Sequence, residues 1–285
     1  MTISAPMLPL SRSRALPPGP TVLPLSRPPA LPLFLAALLA LAIARPAPAQ
    51  SLAQRVANVA DGTVRLSFAA RAGVCGDGRN NISTRRGEED DDADVDGRRC
   101  CEPGPVRISL IFTGRRVTRV RAHVGGQWRP ATTAGTTDFG TVPAREAAEW
   151  LLAIARRDDP GAEHAILPAT LADSVVVWPD LLAIARDHAL RSETRRQAVF
   201  WVGQAAGEAA THGLDALVAD DSVDRSVREQ AVFALSQRPR DEAVPALIRI
   251  ARSHRDPAIR KKALFWLGQS EDERALGLFE ELLAK

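Results

Sequence analysis

The densest group of potential metal ligands in the sequence is an acidic run in its first half. Asp92, Asp94 and Asp96 stand at alternate positions before Gly97, and carboxylates with that spacing, followed by a glycine, open a calcium-binding loop. Such a loop needs a glutamate at its twelfth position, where this sequence has Pro103. We therefore interpret the run as a solvated acidic loop, with a calcium site at the three aspartates as the alternative.

The cysteines of the sequence are Cys75, Cys100 and Cys101. In an exported protein, which the N-terminus described below indicates, three cysteines favour one disulfide and one remaining thiol. The residues alone leave open whether Cys100 or Cys101 pairs with Cys75. Zinc binding by these cysteines with His123 is the alternative, but nothing else in the sequence has metal-ligand spacing.

No arrangement of residues predicts a catalytic site. The five histidines are scattered, and no Ser/His/Asp, Cys/His or His-x-x-x-His pattern includes any of them. They are His123, His164, His188, His212 and His254. We predict that these histidines lie on the surface and that the protein has no catalytic residue and no cofactor.

The N-terminus has the pattern of an export signal. Residues 31–44 form an uncharged apolar run of 14 that follows several arginines and precedes Ala47-Pro48-Ala49. Small residues at this spacing predict cleavage near Ala49, and the run is shorter than the roughly 20 residues that span a bilayer. We predict a signal peptide over 1–49 with a Pro-rich start, a periplasmic or secreted location, and no membrane span after cleavage.

The charge balance argues against a nucleic-acid partner. The formal net charge is +3, but Arg12, Arg14, Arg27 and Arg45 precede the predicted cleavage point, where no acidic residue occurs. Removing these four positive charges from +3 leaves −1 for the mature chain, so a basic footprint is absent. The many arginines, the three lysines and the absence of tyrosine are typical of a GC-rich bacterial genome.

The second half of the sequence repeats itself. Near-copies occupy 193–204 (ETRRQAVFWVGQ), 226–237 (SVREQAVFALSQ) and 258–269 (AIRKKALFWLGQ), and a weaker copy lies upstream. In these copies Ala165, Ala198, Ala231 and Ala263 share one position. A second apolar register about 16 residues later predicts two helices per period. Its leading positions are Leu181, Leu214, Leu247 and Phe279.

The helix starts carry the resemblance to a known family. Asp256 precedes Pro257, and Asp224 and Ser192 hold the equivalent cap positions. The segment 256–268 reads D-P-x-I-R-x-x-A-L-x-x-L-G and resembles the bacterial HEAT repeat of the phycobilisome-lyase type. The resemblance implies antiparallel helix pairs stacked into a right-handed α-solenoid that binds partners. We predict a mainly α fold with about four HEAT-like repeats and a capping helix over 143–285.

A small β region precedes the repeats, over 50–142. Apolar residues alternate over 63–70 and 106–112, and a turn at Thr113-Gly114 leads into 117–124, which predicts a small antiparallel sheet of about three strands. Such a sheet needs support, and a disulfide closing the acidic loop 71–104 would supply it. The segments around Cys75 and Cys101 resemble paired segments in other exported bacterial HEAT proteins, and this resemblance implies the pairing Cys75–Cys101.

Several side chains in the repeats invite a choice between structure and recognition. We predict that Arg195, Arg228 and Arg260 pair between repeats and that Trp201 and Trp266 pack in the core. The recurring glutamines at the ends of the first helices predict a hydrogen-bond ladder; they are Gln204, Gln237 and Gln269. The remaining candidates for an interaction surface are the second-helix arginines Arg186, Arg249 and Arg252.

These observations favour an exported, non-enzymatic scaffold that mediates protein–protein interaction through its repeats. One alternative is an enzyme resembling the HEAT-like bilin lyases or the iron-dependent deoxyhypusine hydroxylases. The hydroxylase resemblance requires His-Glu pairs, and no histidine here is followed by glutamate. The other alternative is a calcium- or ligand-sensing module in the β region. We predict a protein partner of unknown identity and no nucleic acid.

Overall fold

A computed structural model describes residues 50–79, 81–84, 101–128, 133–157 and 159–284. Gln50–Lys285 forms one compact unit. The predicted signal peptide over 1–49, the calcium candidates Asp92, Asp94 and Asp96, and Cys100 lie outside the described residues.

The main sheet has four strands in the order β6-β5-β1-β7. These strands are β1 (Gly62–Phe68), β5 (Val106–Thr113), β6 (Arg116–His123) and β7 (Thr136–Thr141). The antiparallel pairing of β1, β5 and β6 was predicted, but the restriction to three antiparallel strands was wrong, because β7 adds to β1 in parallel. Most of the β7 side chains are exposed or half-buried, so this strand has no apolar alternation to detect.

The alternating residues of β1 form one face of the core. Val64 lies opposite Leu110 on β5, and Phe68 lies opposite Val106; all four are fully buried. Such apolar cross-strand pairs are the main source of stability in an antiparallel sheet. The short helix α1 (Leu52–Val56) adds two buried side chains to this core and begins with a capping box.

A second, smaller sheet is built around the disulfide. Its strands β2 (Cys75–Gly76), β3 (Ile82–Ser83) and β4 (Glu102–Pro103) run in the order β3-β2-β4. Cys75 is bonded to Cys101, with their Cα atoms 5.1 Å apart, which is the pairing that the resemblance implied. The bond ties β2 to the residue before β4, so it closes the loop between these two strands.

The rest of the chain is helical. Helix α2 (Ala144–Ala155) leads into a 3₁₀ helix, Ala162–Ala165, and the short α3 (Ile166–Thr170). Longer helices follow: α4 (Trp178–Arg186), α5 (Ser192–Gly203), α6 (Glu208–Ala219), α7 (Arg225–Ser236), α8 (Arg240–Ser253), α9 (Pro257–Gly268) and α10 (Glu273–Leu283). The predicted registers match this packing, because the alanine shared by the first helices is fully buried in each copy. These residues are Ala165, Ala198, Ala231 and Ala263.

The cap predictions were right at one position and wrong at another. Asp256 caps α9 by accepting a hydrogen bond from the Ala258 N–H at 2.9 Å. Ser192 does not cap α5, because it is the first helical residue and Arg191 stands at the cap. Asp224 holds the cap position of α7, but its side chain makes no cap bond and instead binds the buried Arg195.

The sheet and the helices share one apolar core. After β1 the backbone pairs with the segment that follows α3: the Arg71 N–H donates to the Leu171 carbonyl at 2.8 Å, and the Asp173 N–H donates to the Ala69 carbonyl at 2.9 Å. On β6, the Val117 N–H donates to the buried Asp159 at 3.0 Å. These bonds fix the β region against the start of the helical array.

Candidate interaction surface

The three arginines at the shared first-helix position are structural. Arg195 is 2% exposed and donates to the Ala185 carbonyl at 3.0 Å and to Asp224. Arg228 contacts Asp221 at 3.0 Å and Asp256 at 3.7 Å. These contacts confirm the predicted pairing with carboxylates and backbone carbonyls.

Arg260, the third of these arginines, donates to the carbonyl oxygens of His254 at 2.7 Å and of Arg255 at 3.1 Å. The ring of His254 is also engaged: its Nδ1 accepts from the Asp256 N–H at 3.1 Å, and its Nε2 lies 3.0 Å from the Val218 carbonyl. His254 is therefore a half-buried link between two repeats, and its prediction as a surface residue was wrong.

Arg238 is a buried side chain that links several helices and that the sequence did not predict. Its guanidinium lies inside the turn between α5 and α6, and the residue is only 8% exposed. It donates to Thr211 Oγ1 at 2.7 Å and to Glu242 at 3.1 Å. It also donates to the carbonyl oxygens of Gly203, Ala205 and Gly207. Because Arg238 follows the repeated segment and has no counterpart in the other copies, self-similarity gave no signal for it.

The predicted row of glutamines does not form a ladder. Gln204, Gln237 and Gln269 each follow the last residue of a first helix and are exposed. Gln237 donates to the neighbouring Ser236 hydroxyl at 3.2 Å, and no hydrogen bond joins two of these glutamines in the described structure. Their exposure lets water satisfy the amides, so no ladder is required.

The predicted interaction arginines lie on the second helices, as expected from the periodicity, and each meets a carboxylate. Arg249 contacts Asp215 at 2.8 Å and Arg252 contacts Glu281 at 2.6 Å. Arg186 lies 3.9 Å from Asp220, whose pKa is lowered mainly by a hydrogen bond from the Ser222 side chain. The result is a line of exposed ion pairs between successive second helices, which presents alternating rather than uniformly basic charge.

A groove of about 410 Å³ lies within this line, between α6 and α8. Its walls carry both signs of charge, from Asp215 and Asp221 on one side and Arg249 and Arg255 on the other. We use the name second-helix surface for this groove together with the line of ion pairs formed by Arg186, Arg249 and Arg252. Exposed ion pairs add little to stability, so these charges are available to orient a partner.

The two repeat tryptophans are half-buried and packed against the core, as predicted. The Trp266 ring lies 5.0 Å from that of Phe233 in the preceding repeat. Trp266 lines a groove of about 240 Å³ beside α8, whereas Trp201 lines one of about 290 Å³ between the β region and the first helices. We call the groove beside Trp201 the junction groove.

Two features of the described residues bear on other classes of function. Across 50–79, 81–84, 101–128, 133–157 and 159–284, no group of three or more His, Cys, Asp or Glu side chains is arranged to hold a metal ion. Within the same ranges no helix is long and apolar enough to cross a membrane.

Comparison with known protein families gives a match in the C-terminal part of the chain. Residues 214–285 match the family described as HEAT repeats, and this range runs from within α6 to the end of the described chain. The match covers 72 of the 285 residues and shows that this part of the chain is similar to HEAT repeats. Such repeats generally mediate protein–protein interaction. No curated protein matches the sequence.

Proposed function

We propose that this protein is an exported, non-enzymatic HEAT-repeat scaffold that holds a protein partner on its second-helix surface. In this proposal the pairs α3/α4, α5/α6, α7/α8 and α9/α10 are four repeats of the phycobilisome-lyase type. Helix α2 is the capping helix that precedes them. The shared registers and the family match over 214–285 support this arrangement.

The observation that carries the binding proposal is the open, charged second-helix surface. The arginines inside the helical array are buried against carboxylates of neighbouring elements, whereas Arg249 and Arg252 are 57% and 52% exposed at the side chain. An open groove with alternating charges suits a folded partner with complementary charges, because such a pattern sets orientation and association rate. Solenoids bind partners through extended surfaces of this kind.

Two observations support export. The apolar run at 31–44 ends in an A-x-A pattern, and the Cys75–Cys101 disulfide is a bond that persists in oxidising compartments. The intact mass of the protein recovered from the envelope or the medium tests this proposal. We expect a chain that begins near Gln50 and carries the disulfide. A reduced, full-length chain confined to the cytoplasm would contradict it.

Capture of a partner from the envelope fraction, followed by quantitative mass spectrometry, tests the binding proposal. The bait is the chain 50–285, and the informative variant is Arg249→Asp. We expect the variant to lower recovery of the partner about tenfold or more, in line with the loss of a charge contact at an interface. Arg196→Asp is the matched control, because Arg196 is an exposed arginine of an ion pair on a first helix.

The double variant Arg249→Asp with Asp215→Arg separates a folding defect from a recognition defect. It restores the ion pair between α6 and α8 but reverses its direction. If the partner recognises the charges, recovery stays low in the double variant. Full recovery would mean that the pair acts only within the scaffold, and equal recovery from all variants would contradict binding at the second-helix surface.

A further inference from the structure

The junction groove lies where the β region meets the first helices. Its walls come from three distant parts of the chain: Arg71 after β1, residues 175–177 before α4, and Trp201 on α5. The backbone at this point is fixed, because the Arg71 N–H donates to the Leu171 carbonyl. The volume of about 290 Å³ is close to the lower end of the range for small-ligand pockets, about 300 Å³.

Arg71 supplies the positive charge of this groove. Its Nε donates to the Thr170 carbonyl at 3.1 Å, and its terminal nitrogens make no hydrogen bond or ion pair to any residue that the structure describes. Partial burial lowers the pKa of this guanidinium. Unlike Arg71, each of the buried arginines Arg195, Arg228 and Arg238 contacts a carboxylate.

A half-buried guanidinium is stabilised by an anion that can accept from both terminal nitrogens. A carboxylate fits that fork with two parallel hydrogen bonds. Within the described residues nothing supplies this carboxylate to Arg71. The charge of the groove therefore favours an anionic ligand.

The rest of the groove wall is mainly apolar. Val176 is 70% exposed, and Val175 and Val177 flank it on the wall. The rings of Trp178 and Trp201 complete this wall. Aromatic and branched side chains beside a cation suit a ligand that combines an apolar side chain with a negative charge.

The C-terminal residue of a polypeptide has this combination in the smallest space. Its carboxylate and its side chain branch from the same Cα atom, so one residue reaches both Arg71 and the valines. An internal aspartate or glutamate brings the peptide on both sides of it into the groove, which the volume does not favour. Recognition of a chain end by its carboxylate is an established mode of peptide binding.

We propose that the junction groove binds the C-terminal residue of a partner protein, with Arg71 holding the carboxylate and Val176, Trp178 and Trp201 holding an apolar side chain. This inference rests on the proposed scaffold function and adds a second contact point to it. It assigns the β region a role in recognition, because Arg71 belongs to that region.

Fluorescence anisotropy with labelled pentapeptides tests the proposal on the chain 50–285. The probes are Gly-Ser-Gly-Ala-Val with a free carboxylate, the same peptide as its C-terminal amide, and an amidated peptide with an internal aspartate. We expect saturable binding of the free acid and an affinity at least about tenfold lower for both amidated peptides. Equal binding of acid and amide, or no saturation by the free acid below about 1 mM, would overturn the proposal.

Three variants locate the site. Arg71→Gln removes the charge and is expected to weaken the free acid about tenfold or more, whereas Arg71→Lys retains part of the affinity. Val176→Glu lies at an exposed position, so it tests the groove even if Arg71→Gln unfolds. Trp266→Phe, at the repeat position equivalent to Trp201, is the control and should leave binding unchanged. Wild-type affinity in Val176→Glu would place the peptide elsewhere and overturn the proposal.

The partner capture described above separates this inference from the scaffold function. If the peptide does not bind but Arg249→Asp still abolishes capture, the scaffold stands and the junction groove has no such role. If the peptide binds and Arg249→Asp leaves recovery of the partner unchanged, the junction groove is a recognition site and the second-helix surface is not.

Discussion

The perturbation that tests the packing most sharply is Arg238→Ala. The substitution removes a buried guanidinium that joins the turn between α5 and α6 to the start of α8. The wild-type side chain donates to three carbonyl oxygens of that turn as well as to Thr211 and Glu242.

The expected loss in the free energy of unfolding can be worked out from the three hydrogen bonds to carbonyl oxygens alone. Three hydrogen bonds from a charged donor, counted at about 1 kcal/mol net each, contribute about 3 kcal/mol to the free energy of unfolding. For a chain of this size, a loss of about 3 kcal/mol lowers the Tm by roughly 6–12 °C. Arg238→Lys keeps the charge but not the fork, so we expect about half of that loss.

Thermal and urea unfolding followed by circular dichroism measure these changes. The matched control is Arg196→Ala, which removes an exposed arginine paired with Glu193 and should change the stability by less than about 1 kcal/mol. If Arg238→Ala unfolds within about 1 kcal/mol of the wild type, the guanidinium is not the link between repeats that its contacts indicate.

Three further predictions concern other parts of the molecule. Replacing Cys101 by serine opens a loop with a sequence separation of 26 and should cost about 3.5 kcal/mol, measured by urea unfolding; Cys100→Ser is the control, and equal effects would refute the pairing. Gly203→Ala places a Cβ atom 3.0 Å from that of Ala234 and should destabilise by about 1–3 kcal/mol. Gly268→Ala, at the equivalent position, places its Cβ atom at an ordinary contact distance of 4.0 Å from Phe279 Cζ and should be neutral or slightly stabilising. The Arg274 side chain is the main cause that lowers the pKa of Asp272 to about 2, so the folded state loses this stabilisation as the pH falls from about 4 towards 2. Asp272→Asn should flatten the acid limb of the Tm against pH relative to Glu280→Gln, and an unchanged limb would contradict this assignment.

The sequence predicted the elements whose pattern is periodic. Alternation located β1 and β5, because each buries every second side chain, as at Val64, Leu66 and Phe68. The turn at Thr113-Gly114 indicated β6, whose buried residues Val117 and Val120 are three positions apart. Self-similarity located the helix pairs, because one small residue such as Ala198 must fit between neighbouring helices in every repeat. Both patterns are visible in the sequence itself, so they can be recognised without any knowledge of tertiary contacts.

The elements that were missed depend on contacts between distant residues. Strand β7 pairs at the edge of the sheet and buries little, so its residues carry no alternation. The first copy begins as a 3₁₀ turn and a short α3, and Pro168 stands there at the position of Trp201 in the next copy. Pro168 has no N–H to donate and lies in the first turn of α3, where proline is tolerated, so the α-helix starts later in this copy than in the next one.

The candidate site shows the same division. Spacing placed Arg186, Arg249 and Arg252 on the second helices, but only the packed structure shows that each meets a carboxylate. The junction groove combines residues more than 100 positions apart in the sequence, Arg71 and Val176 among them. No motif joins such residues, so the groove follows only from the way the β region docks on the helices.

Hydrogen–deuterium exchange of the chain 50–285, alone and with its captured partner, tests the central claim most directly. We predict slower exchange on binding in the second helices α6 and α8, with the first helices α5 and α7 unchanged. Protection confined to the first helices, or no protection in α6 and α8, would contradict a scaffold that binds its partner through the second-helix surface.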